Sequence, residues 1–166
     1  MKINIKDLKE GINKFVLNES PEEIGFENGD IEFNEIISSN IEVNKVGEKF
    51  IVKGKIKTAI LLECSRCLKK FEYNIDCNFR LIYLKNIKFK EGEISKEEID
   101  EVMLTDDILN IGDDIRQTII LEIPMKPICK ESCKGLCANC GKDLNFGKCN
   151  CKFEKTSPFS KIRLKI

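Results

Sequence analysis

Six cysteines lie within 23 residues near the end of this chain, which contains no histidine. Their spacing is Cys129-x3-Cys133-x3-Cys137-x2-Cys140-x8-Cys149-x-Cys151. Thiolates at this density, without imidazole partners, favour a soft ion held tetrahedrally by sulfur. We therefore expect this segment to fold around metal rather than around an apolar core.

The part most typical of a metal site is Cys137-Ala138-Asn139-Cys140-Gly141, which has the outline of a zinc knuckle. Two thiolates separated by two residues grip one ion, and the glycine permits the turn that aims backbone N–H groups at sulfur. The spacing predicts a structural zinc site, with a four-thiolate iron–sulfur cluster as the alternative. The predicted ligands are Cys137, Cys140, Cys149 and Cys151, with Cys129 and Cys133 as alternates.

A second cysteine pair, Cys64 and Cys67, falls between two predicted strands. Three interpretations are open: a thiol redox pair, a turn without metal, or a second knuckle that shares an ion with Cys129 and Cys133. Redox pairs of this spacing normally lie at a helix N-terminus, where the dipole lowers a thiol pKa. A position between strands therefore favours a structural or metal-binding role.

Alternation of apolar and polar residues predicts two long strands, over 50–62 and 71–83, joined at 63–68 as an antiparallel hairpin. Cys77 lies on the apolar face of the second strand and is interpreted as a small buried side chain. Three shorter segments are predicted as further strands: 2–6, 14–17 and 41–43.

A helix is predicted from Asp113, because Ile115, Ile119 and Ile123 follow at a spacing of four and Pro124 ends it. The fold class is therefore α+β. Residues 1–127 are expected to form an antiparallel sheet with a long hairpin, an exposed acidic loop at 90–101 and, after that loop, one packed helix. Residues 128–166 are expected to form a loop-rich, cysteine-rich segment that ends in a short helix after Ser157-Pro158.

The net charge of zero hides an asymmetry between the two parts of the chain. Residues 1–125 contain 18 basic and 25 acidic residues, whereas residues 126–166 contain 10 basic and 3 acidic. A basic segment built around a metal site indicates an anionic partner, and RNA is the leading candidate. The predicted RNA contacts are Lys134, Lys142, Lys148, Lys152, Lys155, Lys161, Arg163 and Lys165. Few aromatic residues are free for stacking, so we expect contact mainly with phosphates.

Features typical of enzymes or exported proteins are not found in the sequence. The chain offers no histidine for general base catalysis, no phosphate-binding glycine loop and no nucleophile elbow. Its first residues do not resemble a signal peptide, and no apolar run is long enough for a transmembrane helix. We therefore expect a cytoplasmic, non-enzymatic protein.

The run from Cys133 to Asn145, ending in Cys149-Asn150-Cys151, resembles the YceD family of bacteria and plastids. The resemblance extends to Leu62-Glu63-Cys64-Ser65-Arg66-Cys67-Leu68, to Leu121-Glu122-Ile123-Pro124 and to Ser157-Pro158-Phe159. It implies a role in the synthesis, processing or stability of large-subunit ribosomal RNA. Because some family members keep the hairpin pair without the later cysteines, it also implies that the two cysteine groups are separate features.

These observations lead to a main hypothesis and two alternatives. The main hypothesis is an accessory factor of ribosome biogenesis that binds ribosomal RNA or a ribosomal protein, without a small-molecule substrate. The first alternative is a zinc-stabilised module that binds proteins only. The second is a thiol oxidoreductase that uses Cys64 and Cys67.

Overall fold

The computed structural model describes residues 2–26, 31–85 and 101–151. Within these residues, eight strands and two 3-10 turns precede one α-helix, α1 (Ile111–Glu122), and the chain then runs without long elements to Cys151. The predicted C-terminal helix and nearly all of the loop predicted at 90–101 lie outside the described residues. The strands are β1 (Ile3–Asn4), β2 (Gly11–Glu19), β3 (Glu32–Phe33), β4 (Ile37–Val46), β5 (Lys49–Glu63), β6 (Lys70–Lys85), β7 (Glu101–Leu104) and β8 (Ile108–Leu109).

The main sheet has the strand order β2-β4-β5-β6-β7, and β3 pairs with β5. Strands β2, β4, β5 and β6 are antiparallel neighbours, whereas β7 runs parallel to β6. Strands β1 and β8 form a separate two-stranded sheet. The predicted α+β class and the long hairpin are confirmed, and the parallel strand β7 is an addition that the sequence pattern did not predict.

The apolar face of this sheet and helix α1 form the main core. Phe50, Val52 and Ile56 of β5 are almost fully buried, while Lys53 and Lys57, at alternate positions of the same strand, are exposed. Helix α1 contributes Ile111, Ile115 and Ile119, which are completely buried. The helical spacing predicted from the sequence therefore places these side chains against the sheet.

The turn of the β5–β6 hairpin is part of a second, smaller core. The buried sulfur-bearing side chains Cys64, Cys67 and Cys133 pack there with Phe71 and Leu136. This cluster contains few apolar side chains, so burial alone gives it little stability. Among the described residues, no helix is long and apolar enough to cross a membrane.

Candidate metal centres

The tip of the hairpin folds as a tight turn around Cys64. The N–H of Leu68 donates to the carbonyl oxygen of Cys64 at 2.9 Å, and the N–H of Cys64 donates to the carbonyl oxygen of Lys69 at 3.0 Å. Leu68 has a φ of 60°, which non-glycine residues rarely adopt. This conformation brings Cys67 back beside Cys64, so that both thiols face the same side of the turn.

The same turn recurs 73 residues later, around Cys137. The N–H of Gly141 donates to the carbonyl oxygen of Cys137 at 2.9 Å, and the N–H of Cys137 donates to the carbonyl oxygen of Lys142 at 2.8 Å. Gly141 has a φ of 70°. Both Cys-x2-Cys pairs are therefore knuckles with one backbone geometry, although only the second has glycine at the position of positive φ.

The segment from Pro127 to Leu136 lies against the hairpin tip. The N–H of Ser65 donates to the carbonyl oxygen of Pro127 at 2.8 Å, and the N–H of Leu136 donates to that of Arg66 at 3.0 Å. The guanidinium of Arg66 donates to the carbonyl oxygens of Glu131 and Cys133, at 3.1 and 2.9 Å. These bonds hold a distant part of the chain beside the first knuckle.

Gly135 makes this close approach possible. Its φ is 71°, and a Cβ atom at this position would lie 2.8 Å from the carbonyl oxygen of Arg66. A side chain would therefore both strain the backbone and separate the two segments.

Four cysteines meet at the junction of these two segments and form what we name the hairpin cluster: Cys64, Cys67, Cys129 and Cys133. Their Sγ atoms all lie within 4.8 Å of one another. The Sγ atoms of Cys64 and Cys133 are 3.9 Å apart, and those of Cys67 and Cys129 are 3.8 Å apart. A tetrahedral ion with metal–sulfur bonds of about 2.3 Å separates its ligands by roughly 3.8 Å, so these distances fit such an ion.

A second group, which we name the C-terminal cluster, consists of Cys137, Cys140, Cys149 and Cys151. These four Sγ atoms also lie within 4.8 Å of one another, and those of Cys137 and Cys149 are 3.3 Å apart. Cys137 is buried, while Cys140 is exposed. All eight thiols of the two clusters are free, and so is the thiol of Cys77, which is buried on the sheet.

The structure brings together the four cysteines that the sequence predicted as one ligand set. The alternates, Cys129 and Cys133, belong instead to the hairpin cluster, because the bonds around Arg66 hold their segment against the hairpin tip. The interpretation of Cys64 and Cys67 as a second knuckle that shares its site with these two cysteines agrees with this arrangement. The expectation that hairpin and C-terminal cysteines are separate features is wrong, since the hairpin cluster contains two of each.

Asn145 connects the loop of the C-terminal cluster to the hairpin cluster. Its side-chain amide donates to Cys133 Sγ at 3.5 Å, while its Oδ1 accepts from the N–H of Lys134 at 2.9 Å. Asp143 Oδ1 accepts from the N–H of Asn145 at 2.8 Å and fixes this turn. The sequence pattern gave Asn145 no role, because its contact with Cys133 depends on how the two clusters are placed.

Hydrogen bonds and burial act on the cysteine pKa values in opposite directions. The backbone N–H of Cys129 is the main cause that lowers the pKa of Cys64 to about 6, and the N–H of Cys140 chiefly does the same for Cys137. The amide of Asn145 lowers the pKa of Cys133. Burial, followed by the neighbouring sulfurs, raises the pKa of Cys129 to about 12.

These shifts indicate what the two clusters can do chemically. Each has backbone or amide donors that stabilise a first thiolate, but further thiolates repel it unless a cation is present. Four sulfur ligands in tetrahedral reach are the donor set of a closed site, which leaves no position for water. Either cluster could hold a metal ion, and such an ion would have a structural role.

The predicted RNA-binding residues are only partly within the described chain. Lys134, Lys142 and Lys148 are exposed around the C-terminal cluster. The Nζ atom of Lys142 donates to the carbonyl oxygen of Lys148 at 3.1 Å. The others lie outside the described residues: Lys152, Lys155, Lys161, Arg163 and Lys165.

Comparisons with known proteins point to one family. A model of the family described as large ribosomal RNA subunit accumulation protein YceD matches residues 52–165, a span that contains both clusters. No solved structure matches the chain.

Curated relatives give the same name or none. The large ribosomal RNA subunit accumulation protein YCED homolog 1, chloroplastic, of Arabidopsis thaliana is 28% identical over 143 residues, covering 72% of this chain and 44% of that protein. Its namesake in Zea mays is 26% identical over 150 residues, covering 75% and 51%. An uncharacterized protein of Mycobacterium tuberculosis is 26% identical over 125 residues, covering 75% and 59%. The chain thus spans about half the length of the curated relatives that it matches.

Proposed function

Since this chain belongs to the YceD family, described as large ribosomal RNA subunit accumulation proteins, we propose that it is a non-enzymatic factor of ribosome biogenesis. In this role it binds large-subunit ribosomal RNA through the region around its two cysteine clusters. The observation that carries the RNA-binding part is the concentration of exposed lysines at this end of the molecule. The proposed location is the cytoplasm, where bacterial ribosomes assemble.

Each cluster is proposed to hold one zinc ion. Zinc favours tetrahedral thiolate sites without a preference from d-electrons, and it supports neither redox nor ligand-exchange chemistry in a closed site. The near-tetrahedral sulfur distances support this assignment over a free redox pair at Cys64 and Cys67. The ions would fix the geometry of the binding surface.

Replacing Asn145 by leucine is expected to weaken metal binding at the hairpin cluster by roughly 10- to 100-fold, as for other hydrogen-bonding partners of metal ligands. Leucine has a similar size but cannot donate to Cys133. Titration of zinc release with a chromogenic chelator would measure this as one of two ions leaving more readily.

Asn74→Leu is the matched control for this substitution, since Asn74 is an exposed asparagine on strand β6 outside both clusters. It should leave both release steps unchanged. Wild-type affinity for both ions in the Asn145→Leu variant would contradict the role given to the amide.

The metal ions change the charge of the proposed RNA surface. A zinc ion bound by four thiolates has a net charge of about −2, so two filled sites offset about 4 of the basic surplus of residues 126–166. This surplus stays positive, and Arg66 and Lys69 add cations at the hairpin tip. The surface therefore remains attractive to phosphate after both ions bind.

A salt titration tests this electrostatic account. Affinity for fragments of large-subunit ribosomal RNA should fall steeply with salt, and each lysine that contacts a single-stranded phosphate contributes about 0.7 to the logarithmic slope. Reversing charge at Lys134 and Lys142 should weaken binding and flatten the slope. The matched control is Lys53→Glu, on the polar face of the sheet. Salt-independent affinity, or a larger effect of the control, would contradict the proposal.

One observation favours the alternative of a protein-binding module. Leu121 and Met125 are 84% and 101% exposed at the end of α1, and Ile120 beside them is 46% exposed. Neighbouring exposed apolar side chains are typical of protein contacts. If this surface is the main functional site, Leu121→Glu should abolish binding to a ribosomal protein, and RNA affinity should be near background in the wild type.

A further inference from the structure

Phe146 is an aromatic side chain held out into solvent. It ends the 3-10 turn Leu144–Phe146 in the loop of the C-terminal cluster, and it is 83% exposed. Burying a phenylalanine side chain typically stabilises the folded state by about 1.5–3 kcal/mol. Because this ring is exposed, it contributes little of that stabilisation. Few aromatic residues were expected from the sequence to be free for stacking, and Phe146 is one that is exposed.

The backbone that presents this ring is fixed by hydrogen bonds. Asp143 accepts from the N–H of Asn145, and Asn145 in turn contacts Lys134 and Cys133 of the neighbouring segment. The N–H of Leu144 also donates to the carbonyl oxygen of Gly135 at 2.9 Å. The ring is therefore presented by an ordered turn, which lowers the entropic cost of binding to it.

Beside Phe146 is a cleft of about 270 Å³ that borders the hairpin cluster, with Cys67 and Cys129 in its lining. Phe71 contributes a second aromatic side chain to its lining, and Lys69 and Lys130 are exposed residues in that lining. Asp143 also lines the cleft, but its Oδ1 accepts from both the side-chain and backbone nitrogens of Asn145. The cleft thus combines aromatic surface with two available cations.

We propose that this cleft binds one unpaired base of single-stranded RNA, stacked on the Phe146 ring, with adjacent phosphates on Lys69 and Lys130. Stacking on an aromatic side chain beside basic residues is the usual way in which proteins hold unpaired bases. This inference rests on the proposed RNA-binding function and names the site within it. It also predicts a preference for single-stranded over duplex RNA.

A larger groove, of about 640 Å³, lies on the main sheet and is less suited to this role. Its lining includes four cations, Lys14, Lys53, Lys55 and Arg80, of which Lys55 forms an ion pair with Asp76 at 2.8 Å. In the antiparallel pairing of β4 with β5, Glu42 lies directly opposite Lys53. The aromatic residues of this lining, Phe15 and Phe79, are partly buried against the main core, so neither presents its ring to a base as Phe146 does.

The test compares Phe146→Ala with Phe146→Tyr in the full, zinc-loaded chain. The alanine variant should bind a single-stranded RNA oligonucleotide roughly 5- to 150-fold more weakly, as expected for the loss of one stacked base. The tyrosine variant keeps the ring and should stay within about twofold of the wild type. Met125→Ala, which removes another exposed apolar side chain, is the matched control. A 2-aminopurine base in the oligonucleotide should lose fluorescence on binding to the wild type or to the tyrosine variant. It should keep its fluorescence with the alanine variant, which has no ring at this position to stack on.

The outcomes separate this site from the function on which it rests. If Phe146→Ala binds single-stranded RNA as the wild type does, while charge reversal at Lys134 and Lys142 weakens binding, the proposal of base binding in the cleft is wrong. The proposal that the protein binds RNA would still hold. If the wild type binds no RNA, both fail. If Phe146→Ala instead loses binding to a ribosomal protein with RNA affinity unchanged, the cleft is a protein site and the base-binding proposal is wrong.

Discussion

Removing both metal ions with a strong chelator is expected to release residues 128–151 from the hairpin tip while the sheet and α1 keep their structure. The reason is the difference between the two cores. The main core contains completely buried residues such as Ile56, Ile60, Ile115 and Ile119, whereas the second core is mostly cysteine with a few apolar neighbours. Structural zinc contributes about 10–16 kcal/mol in small zinc domains, far more than the apolar contacts here.

Hydrogen exchange followed by mass spectrometry would measure this directly. Peptides from 128–151 and from the hairpin tip should lose protection after chelation and regain it when zinc is added back. Peptides from β4 and from the middle of β5 should exchange at the same slow rate throughout. Loss of protection across the whole sheet would show instead that the ions hold the entire fold together.

Removing each knuckle separately is expected to remove one metal ion at a time. Cys64→Ala with Cys67→Ala deletes half of the hairpin cluster, and Cys137→Ala with Cys140→Ala deletes half of the C-terminal cluster. Two remaining thiols cannot close a tetrahedral site, so metal content should fall from two ions to one in each double variant.

Native mass spectrometry would count the ions in each variant. Cys77→Ala is the control, because Cys77 is a buried cysteine of the main core outside both clusters, and this variant should keep two ions. A knuckle variant that still holds two ions, or a wild type that holds only one, would contradict the assignment of two independent four-cysteine sites.

The sheet and helix could be predicted because their information is local. Period-two alternation in β5 and β6 specifies which side chains face the core. The burial of Phe50, Val52 and Ile56 agrees with this pattern. Ile115 and Ile119 specify the buried face of α1 in the same way. Strand β7 gave no such pattern, since it has only four residues and its parallel pairing with β6 joins residues about 19 apart in the sequence.

The cysteine clusters could be predicted only in part, because one of them is assembled from distant segments. Cys137-x2-Cys140-Gly141 has the glycine of a knuckle, so the sequence identified it. The first knuckle has Leu68 at that position, and its φ of 60° is known only from the structure. One sequence signal was available: each pair continues as Cys-x2-Cys-x-Lys, with Lys69 and Lys142 in equivalent places.

The packing of residues 127–136 against the hairpin tip depends on contacts between residues more than 60 positions apart in the sequence. Arg66 and Gly135 make these contacts, one through its guanidinium and the other through the absence of a side chain. Neither residue has a local pattern that predicts such a role. The sequence therefore left Cys64 and Cys67 with several interpretations, among which a site shared with Cys129 and Cys133 agrees with the structure.

Crosslinking in living cells, followed by sequencing of the RNA attached to this protein, tests the proposed function most directly. We expect enrichment at a discrete part of the large-subunit ribosomal RNA or its precursor, and loss of that enrichment when Lys134 and Lys142 are reversed in charge. A functional tagged protein that crosslinks well to other proteins, but recovers RNA only at background, would contradict direct RNA binding.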